Sequence, residues 1–191
     1  MNTIIKSTIS IGALGLLSAC AEPIPPTFDE TDVIASKVRY LALDGLPETA
    51  TADMPTTGTA DYKGRLSADI DGDTDGSVLA DLDLSATFDT GAISGRVHNI
   101  NAFDSDGTPD QKLDGSIRLN GSVFGNDMSA TGTGTLTGVD SGFEGDTRAT
   151  VNLNGTFRSN TAAADTITGD VSGFGRGDID FTITDGEFYA E

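Results

Sequence analysis

The sequence predicts an all-β protein: an eight-stranded antiparallel soluble β-barrel with a filled interior, preceded by a short, partly helical segment. Three observations carry this. From residue 55 onward short runs alternate apolar and polar residues at period two, the spacing that puts one face of a strand in a core. Gly, Asp and Asn punctuate the runs as turn formers. No second long helical pattern interrupts them, so sequential strands pair antiparallel, and eight of them can close and leave no edge unpaired.

The runs follow in order. Over 60–68, small and apolar residues alternate with Asp61, Lys63, Arg65 and Ser67. Over 78–88, Val78, Ala80, Leu82, Leu84, Ala86 and Phe88 share one face, with Asp81, Asp83, Ser85, Thr87 and Asp89 on the other. After Thr90 and Gly91, Ile93, Gly95 and Val97 continue the pattern. Further strands are predicted over 117–123, 128–136, 149–157, 167–171 and 179–183. Asn120-Gly121 and Asn154-Gly155 are good two-residue hairpin signals, but a turn at 125–127 gives strands of matched length. Glycines at 64, 95, 121, 132, 134, 155 and 169 fall on the inward parity, where they permit coiling and make room for rings. Tyr62, Phe88, Phe103, Phe124, Phe157, Phe174, Phe181 and Phe188 are expected to fill the barrel. An outer-membrane barrel would need an apolar outward face, whereas this one carries Asp, Lys, Arg, Ser and Thr.

The N-terminus reads as a leader. Residues 1–6 carry one positive charge, 7–17 are apolar and too short to span a bilayer, and Leu17-Ser18-Ala19-Cys20 closes the run with the chain's single cysteine. This resembles a bacterial lipobox, which implies a lipoprotein signal peptide over 1–19 and a lipid on Cys20 as the first mature residue. Residues 21–26 read as an extended tether, and Thr27 or Asp29 can cap a short helix carrying Val33, Ile34, Val38 and Leu41 before Pro47. The domains are therefore 1–19 signal, 20–54 lipid-anchored tether with a short helix, and 55–191 barrel. Ala21 lacks the aspartate that retains enteric lipoproteins in the inner membrane, which favours the outer membrane, on its periplasmic or cell-surface face.

A net charge of −19 over 191 residues excludes nucleic acid and electrostatic binding to an anionic membrane. His98 is the single histidine, so zinc and nucleophilic sites lack a second His or a free Cys. Asp81 and Asp83 lie on a solvated face, where nothing tunes them for acid-base work. No glycine loop precedes a helix as phosphate binding requires. A non-enzyme without a cofactor is expected.

The stretch DIDGDTDGSV, residues 69–78, begins like a calcium loop. Counted from Asp71, the residues Asp73, Asp75, Gly76 and Val78 fall at the third, fifth, sixth and eighth places. The twelfth place, where a bidentate acid belongs, is Leu82, and both flanks alternate at period two. A hairpin turn is expected, with weak calcium binding by Asp71, Asp73 and Asp75 as the alternative. The loop over 104–110, interrupted by Pro109, is read the same way.

Four segments carry a family resemblance: MPTTGTADYKG at 54–64, LDLSATFDTGAISG at 82–95, GTF at 155–157 and GEFYAE at 186–191. Together they resemble successive strands of the barrel domain of transferrin-binding protein B and related surface lipoproteins. The resemblance implies a filled barrel on a lipid tether that binds host or environmental proteins, as family members bind transferrin, haemoglobin or complement factor H. The bilobed receptor pairs each barrel with a handle domain and this chain has one barrel, so transferrin itself is not implied. The leading expectation is a surface-anchored protein-binding or nutrient-capture module. The alternatives are a structural or weakly calcium-binding envelope lipoprotein, and a small-molecule carrier whose ligand would occupy the barrel.

Overall fold

A computed structural model describes residues 22–140, 142–159 and 164–191. Residues 1–21, which hold the expected signal peptide and Cys20, lie outside the described residues. The helix α1 spans Glu30–Asp44 and a short 3-10 turn follows at Thr51–Asp53. Ten strands come next: β1 Thr59–Gly72, β2 Gly76–Thr87, β3 Ala92–Phe103, β4 Pro109–Lys112, β5 Asp114–Gly115, β6 Ile117–Phe124, β7 Asp127–Gly138, β8 Gly145–Arg158, β9 Thr166–Gly177 and β10 Phe181–Ala190.

Eight of them form the predicted closed barrel. β1, β2, β3, β6, β7, β8, β9 and β10 pair antiparallel with their neighbours, and β10 returns to β1 to close the ring. The two short strands are accessory, β4 folding back on β3 and β5 pairing with β7. Closure gives every barrel strand two partners and removes the unpaired edge of an open sheet. The turn between β6 and β7 falls at Gly125 and Asn126, while Asn120-Gly121 and Asn154-Gly155 lie inside strands. Close approach explains Gly121: a Cβ there would stand 1.9 Å from the Ser129 carbonyl oxygen of the next strand.

Two bulges redirect the inward face. Asn99 has φ 50° and interrupts the register of β3 against β2; Asp185 has φ 45° and interrupts β10 against β1 and β9. Ile93 and Val97 point inward before the first bulge, Ile100 and Ala102 after it. The same switch puts Ile183 inside before the second bulge and Phe188 and Ala190 inside after it. One extra residue turns the following side chains to the opposite face.

Phe157 and Phe188, both almost wholly buried, pack in the interior with Tyr62 edge-on to Phe157, while Phe143 and Phe181 pack against each other near the β7–β8 and β9–β10 loops. Three predicted barrel-filling rings are elsewhere. Phe124 is 88% exposed and Phe174 42% exposed, because both fall on the outward parity of their strands. Phe103 is buried, but beyond the Asn99 bulge it faces outward and forms a second cluster with Phe28 and Leu79 on the outer wall.

α1 continues from that cluster across the outer wall over β1, β10 and β9. Asp29 caps it in a reciprocal capping box with Asp32, and Gly45 ends it. Lys37 pairs with Glu187, Arg39 with Glu191, and Arg65 with Asp32 at 3.1 Å, tying the helix to β1, β10 and the C-terminus. Ser36 and Leu43 face the barrel, while Ile34, Val38 and Leu41 face water.

Candidate functional site

The barrel interior offers no ligand site among the described residues. Its void measures about 30 Å³ and is lined by apolar side chains such as Leu66, Ile70 and Phe181. A small-molecule site takes roughly 300–1,000 Å³. The carrier alternative therefore lacks its cavity, and any binding surface is outside.

One end of the barrel is acidic. The loops β1–β2, β3–β4, β7–β8 and β9–β10 gather there and contain Asp73, Asp75, Asp104, Asp106, Asp140, Glu144, Asp178 and Asp180, with no Lys, Arg or His. The carboxylates hold the loops. The Asp180 backbone N–H donates to Asp73 Oδ2 at 3.0 Å, and Asp73 donates its own N–H to the Asp180 carbonyl at 2.8 Å. Asp146 N–H donates to Asp178 Oδ2 at 2.8 Å. Burial raises the pKa of Asp110, and the charges of Asp140 and Asp104 add to the rise against a hydrogen bond from Gln111.

The aspartates of DIDGDTDGSV divide over this end. Asp71 is in the last residues of β1, Asp73 binds across to the β9–β10 loop, and Asp75 Oδ1 accepts a long 3.5 Å hydrogen bond from the Gly72 N–H. Among the described residues no group of three or more His, Cys, Asp or Glu side chains is placed to hold a metal ion. The 104–110 loop is ordered internally: Asp104 Oδ1 accepts from the N–H groups of Asp106 and Thr108.

His98 and Asp83 sit on the outer face of β3 and β2. Asp83 Oδ2 accepts from Arg96 Nε at 2.9 Å and lies 3.1 Å from His98 Nε2. Burial would raise the Asp83 pKa, but the Arg96 hydrogen bond and the charge of His98 outweigh it and hold the carboxyl below its usual value. The trio braces adjacent strands on a solvated wall.

The opposite end carries a different feature. An open groove of about 540 Å³ runs between the C-terminal half of α1 and strands β6 to β9, walled by Tyr40, Asp44 and Phe124 and floored by Ser122, Ser129 and Asn154. Arg158 stiffens one wall: its guanidinium meets Asp44 Oδ1 at 3.0 Å, the Leu46 carbonyl at 3.0 Å and Thr168 Oγ1 at 2.7 Å. Thr168 Oγ1 in turn donates to Asp44 at 2.9 Å. Phe124 projects from a two-residue turn whose Asp127 accepts from Thr156 Oγ1 at 3.0 Å. An exposed aromatic at a groove rim is the kind of anchor that protein interfaces use.

No family model and no curated protein sequence matches the chain. Among solved structures, a single-substitution mutant of the vaccine antigen transferrin-binding protein B from Haemophilus parasuis Hp5 is similar at TM-score 0.46 and 18% identity, over 75% of this chain and 28% of that one. The intact Ap-TbpB, with N and C lobes, is similar at TM-score 0.46 and 20% identity over the same shares. The chain thus spans 28% of the length of each of those proteins.

Sequence reasoning placed Phe124 inside the barrel and left the groove unseen. Its available signal was the position of Phe124 directly before the Gly125-Asn126 turn, one residue out of step with Ile117, Leu119 and Val123.

Proposed function

We propose that this is a lipid-anchored envelope protein, processed to begin at Cys20, whose barrel binds another protein at the outer surface beside Phe124. The observation that carries the binding reading is the packed interior together with Phe124, 88% exposed on a rigid hairpin at the rim of a groove. A filled barrel leaves recognition to its outside, where an exposed aromatic on a paired hairpin brings a large apolar contact on a fixed backbone. The anchor rests on Leu17-Ser18-Ala19-Cys20 after an apolar run, and the outer membrane is the proposed location.

Two experiments test the two halves. Cys20→Ser should abolish palmitate labelling and release the protein from the membrane fraction; unchanged retention overturns the anchor. Immobilised mature protein should retain a defined host or culture-medium protein, and Phe124→Ala should lose it while keeping the β-rich circular dichroism spectrum. Retention of nothing reproducible, with deletion altering only envelope integrity, would favour the second reading, a structural envelope protein that holds calcium loosely. The eight carboxylates at the loop end favour that reading.

A further inference from the structure

The chain after Cys20 is fastened almost at once. Lys112 N–H donates to the Ile24 carbonyl at 2.8 Å, closing a β-bridge to β4. Thr27 N–H donates to Asn101 Oδ1 at 2.7 Å, and its hydroxyl to Asn99 Oδ1 at 2.9 Å, at the bulge of β3. Asn101 is fully buried, so this is a seated attachment. Cys20 lies four residues before Ile24, and an extended chain covers at most about 3.6 Å per residue. A lipid on Cys20 therefore holds the bilayer within roughly 14 Å of Ile24, from which the chain leads directly into α1.

Ile24 and the helix it leads into carry most of the large apolar side chains left in water. Of the six large hydrophobic residues exposed among the described residues, four are Ile24, Ile34, Val38 and Leu41, at 43%, 57%, 62% and 57%. The last three recur at helical spacing on the face of α1 turned away from the barrel, beside the exposed Thr31, Ala35 and Ala42. Residues 33–43 contain Lys37 and Arg39 and no acid, in a protein of net charge −19. Both cations are paired with Glu187 and Glu191, so the strip is close to neutral and lacks the excess negative charge that would keep it from an anionic membrane.

We propose that the outer face of α1 lies in the interface of the membrane that holds Cys20, with Ile34, Val38 and Leu41 among the headgroups, so that the barrel is held in one orientation. The face is too narrow to bind a membrane unaided, and the tether supplies the high local concentration that makes a weak contact persistent. The middle of β7 around the exposed Thr131, beyond the groove, stays in water. This inference takes its membrane from the lipid-anchor reading, and its test is made independent of that reading.

The protein has no tryptophan and a single cysteine, which allows a direct measurement. Mature chain with Ala35→Trp, or with Thr131→Trp on β7, is coupled through Cys20 to a maleimide lipid in vesicles of phosphatidylethanolamine and phosphatidylglycerol. The expected result is a blue shift at position 35, with quenching by brominated lipid chains, and neither at position 131. Ile34→Ser, Val38→Ser and Leu41→Ser introduced together into the Ala35→Trp protein should remove the shift while leaving circular dichroism unchanged. Trp emission at position 35 that is identical with and without coupled vesicles overturns the proposal. So does a blue shift that appears without vesicles and grows with protein concentration, which would assign the face to a second copy of the chain. Because the lipid is attached chemically, absence of cellular lipidation defeats only the anchor, and a silent Trp at position 35 defeats only the docked helix.

Discussion

Tyr62 stands edge-on to Phe157, ring centroids 5.9 Å apart at 65°, and its hydroxyl donates to the Ala164 carbonyl at 2.8 Å. The pair joins β1 to β8 across the barrel interior, with Phe88 tilted against the same Phe157 ring at 6.0 Å. It closes the end of the core opposite the acidic loops.

Truncating this contact should cost much of the fold's stability. Phe157→Ala leaves a ring-sized hole in a fully buried site and is expected to destabilise by about 3–5 kcal/mol. Tyr62→Phe keeps the packing but strips the Ala164 carbonyl of its donor, for about 1–3 kcal/mol. Urea unfolding of the two variants checks both values, and equal costs would contradict the division between packing and hydrogen bond.

The same tyrosine sets an alkaline limit. Burial, aided by the charge of Asp165, pushes the Tyr62 pKa from 10.0 to about 12. Its protonated form is favoured in the folded state, so the stability it contributes is complete below the unfolded value near 10 and is lost as pH rises through about 12. The urea midpoint should fall across that window, and Tyr62→Phe should flatten this part of the fall. A Tyr62→Phe protein that follows the wild-type alkaline curve would disprove the assignment.

Close strand approach should make Gly121 irreplaceable. An alanine Cβ would meet the Ser129 carbonyl at 1.9 Å and the Ala130 Cα at 2.6 Å, both backbone atoms that move only with the strand. Gly121→Ala should lower stability by about 3 kcal/mol or more. Gly45→Ala, at right-handed helical dihedrals with φ −72°, should leave it unchanged or raise it by up to about 1 kcal/mol. Thermal unfolding of the two variants decides the matter, and equal effects would refute the close-approach argument.

Divalent cations should act on the acidic end as a diffuse charge. Magnesium and calcium at millimolar concentration are expected to raise the unfolding midpoint by similar small amounts. The rise should persist when Asp71, Asp73 and Asp75 are all replaced by Asn, because six other loop acids, Asp104, Asp106, Asp140, Glu144, Asp178 and Asp180, remain. A rise selective for calcium and abolished in the triple variant would establish a chelating site at those three residues.

Much of the barrel was legible because a half-buried strand writes its burial at period two. The alternation from Val78 to Ala86 matches the observed inward face of β2, and Leu82 and Leu84 are buried where it puts them. Legibility stopped at the bulges. The period-two runs end at Val97 and Ile183, just before Asn99 and Asp185, yet β3 and β10 continue to Phe103 and Ala190 on reversed parity; only the resemblance of GEFYAE at 186–191 marked the second continuation. A bulge leaves no residue-type signal strong enough to separate it from a strand end, since its cost is met by cross-strand contacts far away in sequence. Phe103 was misplaced inward for that reason, and the outer cluster it forms with Phe28 and Leu79 went unseen.

The sequence by itself determined the all-β class, the eight barrel strands, their antiparallel order, the acidic character of the loops and a helix capped at Thr27 or Asp29 and ended before Pro47. Each of these is a local matter of period, turn chemistry or capping. Only the tertiary structure decided that the interior is packed to a void of about 30 Å³, that Phe124 stands in water, and that Ile34, Val38 and Leu41 point away from the barrel. Helical spacing shows that these three share a face, but which side of α1 meets the barrel was settled by Ser36 and Leu43 packing inward and by the ion pairs from Lys37 and Arg39 to β10 and the C-terminus. Those contacts span some 150 residues of chain, and no local pattern encodes them.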